Sequence, residues 1–284
     1  MILDAHTHIC PPEIRHRRED FFVGEDDFRL LYENPKARLI GSSELVEQLD
    51  EDGIDGACAF GFPWQDDGYT RLCNDYVLDA GGRFPGRLLP FACVNPLRPT
   101  APAEAQRCLA AGARGLGEIA TYGAGMGAEV RAGLAPLAHL AAEANVPVLL
   151  HTNEPVGHDY PGKSRIELAD LYRLVRAHPA TTWILAHWGG GLFAYHLVRR
   201  EIDEVMARVH YDTAAGPFLY KPAVYRQFIE IAGVERLVFG SDCPLLRLPR
   251  YRDDMEAAGL TATETAAITG GNLARLLGLT GAAQ

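Results

Sequence analysis

Short apolar runs recur along this chain, and between them apolar residues return every three or four positions. The runs cover residues 1–8, 56–62, 87–94, 114–119, 146–151, 183–187, 209–214 and 236–241. Runs of this length and composition predict strands buried on both faces. The intervening spacing predicts helices over 42–49, stopped near Gly53, and over 69–80, stopped at Gly81-Gly82. It predicts further helices over 101–111, 130–144, 166–177, 193–207 and 223–232. Thr261-Ala262-Thr263-Glu264 has the form of a capping box that opens a last helix through Leu277. Eight strand–helix units are the count of a closed (β/α)8 barrel, a TIM barrel in α/β class, as one domain over 1–284. The competing architecture is an open doubly wound sheet. It would carry a Gly-rich loop after the first strand, where His6-Thr7-His8 stands instead.

One stretch breaks the alternation. Residues 9–41 hold Pro11-Pro12, mixed charges, and the aromatics Phe21, Phe22, Phe28 and Tyr32. The stretch is too long for a connector and too aromatic for a disordered one, so it is expected to form an insertion that covers the strand ends as a lid.

Composition narrows the class without naming a chemistry. The chain has 284 residues, 48% apolar and 23% charged, and a formal net charge of −10. That charge speaks against nucleic acid or an anionic membrane as partner and for a small-molecule substrate. No apolar stretch reaches the ~20 residues of a membrane span. The six cysteines form no C-x-x-C pair, and the start shows no leader pattern, so reduced thiols in the cytoplasm are expected. Assembly into a homo-oligomer is left open.

Candidate chemistry lies at the strand ends. On a strand, His6 and His8 point the same way, about 7 Å apart along one face, and can converge on a metal ion. Three more runs end in residues of the same kind: His151, His187 and Asp242. Buried structural histidines are the alternative, and four such endings together weigh against it. Glu118 ends the fourth run and faces inward if Leu116 does; the plain alternative is a buried carboxylate paired with Arg114. Trp64, Tyr122 and Trp188 follow strands and can wall a pocket. His158, Lys163 and Arg165 lie in the loop after the fifth strand and can touch substrate; a solvated loop that touches nothing is the equal alternative. Lys221 and Arg247 follow the last two strands and can hold a substrate carboxylate.

Taken together, Asp4-Ala5-His6-Thr7-His8, Leu150-His151, Ala186-His187-Trp188-Gly189-Gly190-Gly191 and Phe239-Gly240-Ser241-Asp242-Cys243-Pro244 resemble the amidohydrolase superfamily of metal-dependent TIM-barrel enzymes. The resemblance covers essentially the whole chain. It is nearest to the amidohydrolase-related branch, which includes hydrolases, lactonases and aminocarboxymuconate-semialdehyde-type decarboxylases. It implies that His6, His8 and His151 bind a metal, that His187 is a ligand or acid/base, and that Asp242 binds the metal and handles protons. In the TatD-like group a Glu in a Gly-Glu-Ile context bridges two metals, which makes Glu118 a further candidate ligand. Zinc suits this donor set, as one or two ions, with manganese or iron as alternatives. The expected reaction is hydrolysis of an ester, lactone or amide by metal-activated water, with Asp242 as proton shuttle. Nonoxidative decarboxylation is the alternative, and a metal-binding barrel without turnover is a remote one.

Overall fold

The eight apolar runs form eight parallel strands in the computed structural model, which describes residues 1–279. They are β1 (Leu3–His8), β2 (Gly56–Phe60), β3 (Leu88–Ala92), β4 (Gly115–Ile119), β5 (Pro147–Leu150), β6 (Thr182–Leu185), β7 (Val209–Asp212) and β8 (Leu237–Val238). Each pairs with the next in chain order. The ring returns from β8 to β1 through three backbone bonds. Ala5 N–H donates to Phe239 O at 2.8 Å, Asp242 N–H to His6 O at 3.0 Å, and His8 N–H to Cys243 O at 2.8 Å. The result is the TIM barrel expected from the pattern, in a single α/β domain.

Strand alternation divides the core in two. Cys58 and Phe60 of β2, with Leu89, Phe91 and Cys93 along β3, pack in an inner cluster with Leu149 and Ile184. Their neighbours Ala57, Ala59, Leu88, Ala92 and Val94 pack outward against the helices. This is the two-residue period of a strand covered on both faces. Leu273, Ala274 and Leu277 close the inner cluster from the C-terminal helix. All six cysteines are buried and free. Among the described residues, no helix is long and apolar enough to cross a membrane.

Several elements differ from expectation. The helix expected over 69–80 begins at Asp67 and runs on through Gly81-Gly82 to Arg83. Gly81 lies so close to Pro90 that a Cβ there would sit 2.9 Å from its ring, so it serves packing rather than termination. The helix expected over 193–207 is absent. Trp188, Gly189, Gly190 and Gly191 all have positive φ, which no right-handed helix accommodates, and a chain of tight turns over His187–Leu197 leads only to a four-residue helix, Ile202–Val205. A helix over Leu248–Ala257 was not foreseen.

Residues 9–41 fold into short pieces, Pro12–His16, Arg18–Phe21 and Asp26–Tyr32. Ile14, Phe21 and Phe28 are buried there against Phe62, Trp64 and Cys73, which follow β2. Glu25 fastens this layer, because its carboxylate accepts the backbone N–H groups of Gln65 at 2.9 Å and Asp66 at 2.7 Å.

Candidate metal centre

The histidines and carboxylates at the strand ends converge on one point. His6 Nε2 lies 3.2 Å from His8 Nε2 and 3.6 Å from Asp242 Oδ1, and Asp242 Oδ1 lies 3.3 Å from His8 Nε2. Glu118 joins them: Oε2 is 3.7 Å from His6 Nε2 and 3.8 Å from His8 Nε2. Its other oxygen turns to a second pair, 3.0 Å from His151 Nδ1 and 3.5 Å from His187 Nε2.

Glu118 reaches this place by a route that strand parity does not give. Leu116 packs in the outer core, so strict alternation would put Glu118 outside with it. The pairing of β4 with β5 shifts register between Leu116 and Ile119, at Gly117 with its φ of 138°, and the shift turns Glu118 inward. Arg114, the alternative partner, donates instead to the Leu277 carbonyl at 2.8 Å.

The outward nitrogens of three histidines are tied to acceptors. His6 Nδ1–H donates to Asp212 Oδ2 at 2.8 Å, His187 Nδ1–H to Ala214 O at 3.0 Å, and His151 Nε2–H to Gly162 O at 3.0 Å. Each bond orients its ring and turns the other nitrogen toward the cluster, where it holds a proton or, once deprotonated, can bind a metal ion. Asp212 also accepts the backbone N–H groups of His187 at 2.8 Å and Ala214 at 2.9 Å through its other oxygen. It therefore orients two candidate ligands at once. Asp212 was not among the expected site residues, because its apolar run, 209–214, continues past it, whereas β7 ends at it.

Lone pairs and carboxylate oxygens facing one another at these distances repel unless a proton or cation lies between them. Donors held about 2.1 Å from an ion at tetrahedral or octahedral angles stand about 3.0–3.4 Å apart, close to the spacing of His6, His8 and Asp242. The donor set thus fits a divalent ion. The electrostatics show the same pull on positive charge. Burial alone would raise the Asp242 carboxyl, but the hydrogen bond from His8 and the charges of His6 and His187 hold it well below the usual range. Burial would likewise raise Glu118, and His6 and His151 outweigh it. For His6, burial would lower the imidazole, and Glu118 and Asp212 pull it up instead.

Beside His8 opens a narrow apolar recess whose walls include Phe28, Tyr32, Phe62 and Trp64, with Arg38 on its lining. Tyr122 joins the recess to the cluster: its ring stacks on Phe62 at 6.1 Å and meets His151 edge-on at 4.9 Å. Of the residues expected to wall a pocket, Trp64 lines the recess and Tyr122 stacks behind Phe62; Arg38 was not foreseen. Trp188 does not. It is fully buried with its edge against Tyr225 at 4.8 Å, because its left-handed backbone turns it into the helix layer. Arg247 is also occupied elsewhere, with Nε and Nη2 each donating to a carboxylate oxygen of Asp52 at 2.7 Å. His158, Arg165 and Lys221 are exposed, and Lys163 pairs with Glu154 at 3.3 Å.

The family profile for amidohydrolases matches residues 3–279. This chain belongs to the amidohydrolase family. No curated protein matches it by sequence. By structure, this amidohydrolase is similar to a dihydroxybenzoic acid decarboxylase from Polaromonas sp. JS666, with bound manganese and the inhibitor 2-nitroresorcinol. The TM-score is 0.70 at 18% identity, over 99% of this chain and 98% of that one. It is similar to a 5-carboxyvanillate decarboxylase from Novosphingobium aromaticivorans DSM 12444, with bound manganese and 3-methoxy-4-hydroxy-5-nitrobenzoic acid, at a TM-score of 0.72 and 16% identity, over 98% and 97%. A Pseudomonas putida protein described as a 2-pyrone-4,6-dicarboxylic acid hydrolase matches at 0.65 and 18% identity, over 98% of each chain. At these identities the likeness is one of fold.

Proposed function

We propose that this amidohydrolase-family chain is a divalent-metal-dependent lyase that removes the carboxylate of a small hydroxylated aromatic acid without oxidation. The observation that carries the reading is the aromatic recess beside His8 and the donor cluster. An aryl acid would stack against these walls, which would have to part to admit its ring, while its carboxylate turns past His8 to the donors. Decarboxylases among the structural relatives support the same reading, two of them with manganese and substituted aromatic ligands. Manganese is the first candidate ion, since mixed imidazole and carboxylate ligands suit it as well as zinc.

His6, His8 and Asp242 would hold the ion, with His151 and Glu118 as further donors. The ion would supply Lewis acidity to the substrate carboxylate and the neighbouring ring oxygen. Asp242, ionised at rest, takes the proton of the ring hydroxyl and returns it to the ring carbon that bears the carboxylate. The bond from that carbon to the carboxylate then breaks, its electron pair restores the aromatic ring, and carbon dioxide leaves. The proton has moved from oxygen to carbon, so no co-reactant is needed. His187 holds its Nε2 toward Glu118 and the cluster, and the aromatic walls keep bulk water from the reacting carbon.

Hydrolysis, the first expectation from the sequence, is the second reading. It is favoured by Glu118, whose two oxygens face different donor pairs as a carboxylate bridging two ions would. The test is to incubate the manganese-loaded protein with 2,6-dihydroxybenzoate, the ligand of another similar decarboxylase, in deuterated buffer. The proposal expects carbon dioxide and resorcinol with deuterium on the carbon that carried the carboxylate. No carbon dioxide from hydroxybenzoates, together with opening of a lactone, would replace it with hydrolysis.

A further inference from the structure

Tyr32 is the one phenol that residues 9–41 place on the recess. It ends the short helix Asp26–Tyr32 and lines the recess with His8, Arg38 and Phe62. Its ring is held on two sides, 4.8 Å from the Phe28 centroid and 6.2 Å from that of Phe62. Beyond its own helix, its recorded hydrogen bond among the described residues is the backbone carbonyl accepting from Arg18 at 3.5 Å. Among the described residues the hydroxyl has no such partner, and it keeps some exposure. The ring is thus fixed while its donor remains uncommitted. The negative charges of Asp242 and Glu118 both bear on this phenol and, after burial, help hold it in its protonated form. A neutral O–H fixed at the wall of the recess, near the candidate metal ligands, is a donor waiting for an oxygen that the protein does not supply.

We propose that Tyr32 is a specificity-determining residue of the site, donating its O–H to a ring oxygen of the bound aromatic ligand. The inference rests on the reading of the recess as an aryl site. It adds that the segment after β1 selects among aryl acids by their oxygen substituents. A site built to pair such an oxygen rejects ligands that lack it more strongly than an apolar pocket rejects an extra methylene. In this role Tyr32 binds and orients, and Asp242 moves the proton.

The test is the affinity of 2-nitroresorcinol, measured by calorimetry on the manganese-loaded full chain, for wild type, Tyr32→Phe and Phe28→Leu. Tyr32→Phe deletes the hydroxyl and keeps the ring. It should weaken binding about ten-fold, the effect of one lost hydrogen bond of about 1.4 kcal/mol, while manganese content and melting temperature stay at wild-type values. Phe28→Leu loosens the same wall without removing a donor. It should lower the melting temperature and weaken binding less than Tyr32→Phe does. Affinity within two-fold of wild type in Tyr32→Phe would overturn the proposal, as would a loss accompanied by lower stability and matched by Phe28→Leu. If wild type itself fails to bind 2-nitroresorcinol, the aryl reading of the recess fails, and the role of Tyr32 falls with it.

Discussion

Asp242 sits where metal holding and proton transfer meet, and one substitution separates them. Asp242→Asn keeps an acceptor oxygen and removes the base. Manganese should be largely retained while kcat falls by ~10²–10⁴, the usual contribution of a general acid–base; near-normal turnover with full metal would exclude Asp242 as the proton carrier. A second residue-scale effect lies away from the site. His210 on β7 is buried enough, and near enough to Arg236, Arg275 and Arg208, that its imidazole falls to about 4. Its folded value lies below the ordinary 6.5, so the unfolded chain takes up the proton first. The stability present above pH 6.5 is therefore lost as pH falls toward 4, by up to about 3 kcal/mol. Replacing it, His210→Gln, should narrow the gap between urea midpoints at pH 7 and pH 4.5; an unchanged gap would show that His210 does not titrate on unfolding. His6, His8, His151, His187 and Asp242 were legible as site candidates because each ends an apolar run. Asp212 stands two residues inside its run, 209–214, and its work is done on other side chains, so only the fold shows its place.

At the scale of elements, two segments decide the shape of the site. Residues 9–41 carry Phe28, Tyr32 and Arg38 to the recess and are fastened by Glu25 to the loop after β2. If they close over the ligand, 2-nitroresorcinol should slow limited proteolysis within 9–41 on the manganese-loaded protein. Equal cleavage with and without it would count against a lid. The other segment is the glycine run after β6. Gly190 has a φ of 60°, and a Cβ there would lie 2.3 Å from the Asn153 carbonyl. Gly190→Ala should cost about 2 kcal/mol or more, read as a drop in melting temperature, because left-handed strain and a backbone clash act together. A wild-type melting temperature would mean that the turn can be rebuilt. Strands were legible at this scale because burial on both faces writes an apolar run directly. The helix expected over 193–207 was not, since periodicity carries no record of the five successive left-handed residues, His187 to Gly191, that lead into it. The inward turn of Glu118 was hidden for a related reason: alternation assumes a regular ladder, and β4 breaks it at Gly117.

In the whole molecule, the barrel places eight strand ends around one axis, and the chemistry gathers where the chain leaves them. β1 supplies two imidazoles, the shifted end of β4 a carboxylate, and the exits of β5, β6 and β8 the remaining donors. The inner apolar cluster lies beneath these donors, four of which, His6, Glu118, His151 and His187, are buried, and low-dielectric surroundings strengthen their hold on a cation. The count of strands and the closure of the ring followed from the sequence pattern; the identity of the reaction did not, because hydrolysis and decarboxylation call for the same first donors and differ in what lines the recess above them. The claim beneath every step is that these donors hold a divalent ion. It is tested by elemental analysis of the chain purified without chelator and reloaded with manganese, beside His8→Ala prepared in the same way. The account predicts about one ion per chain in the wild type and loss of most of it in the variant, whose donor shell is incomplete. A wild type that retains no metal, or a variant that retains as much, would contradict it.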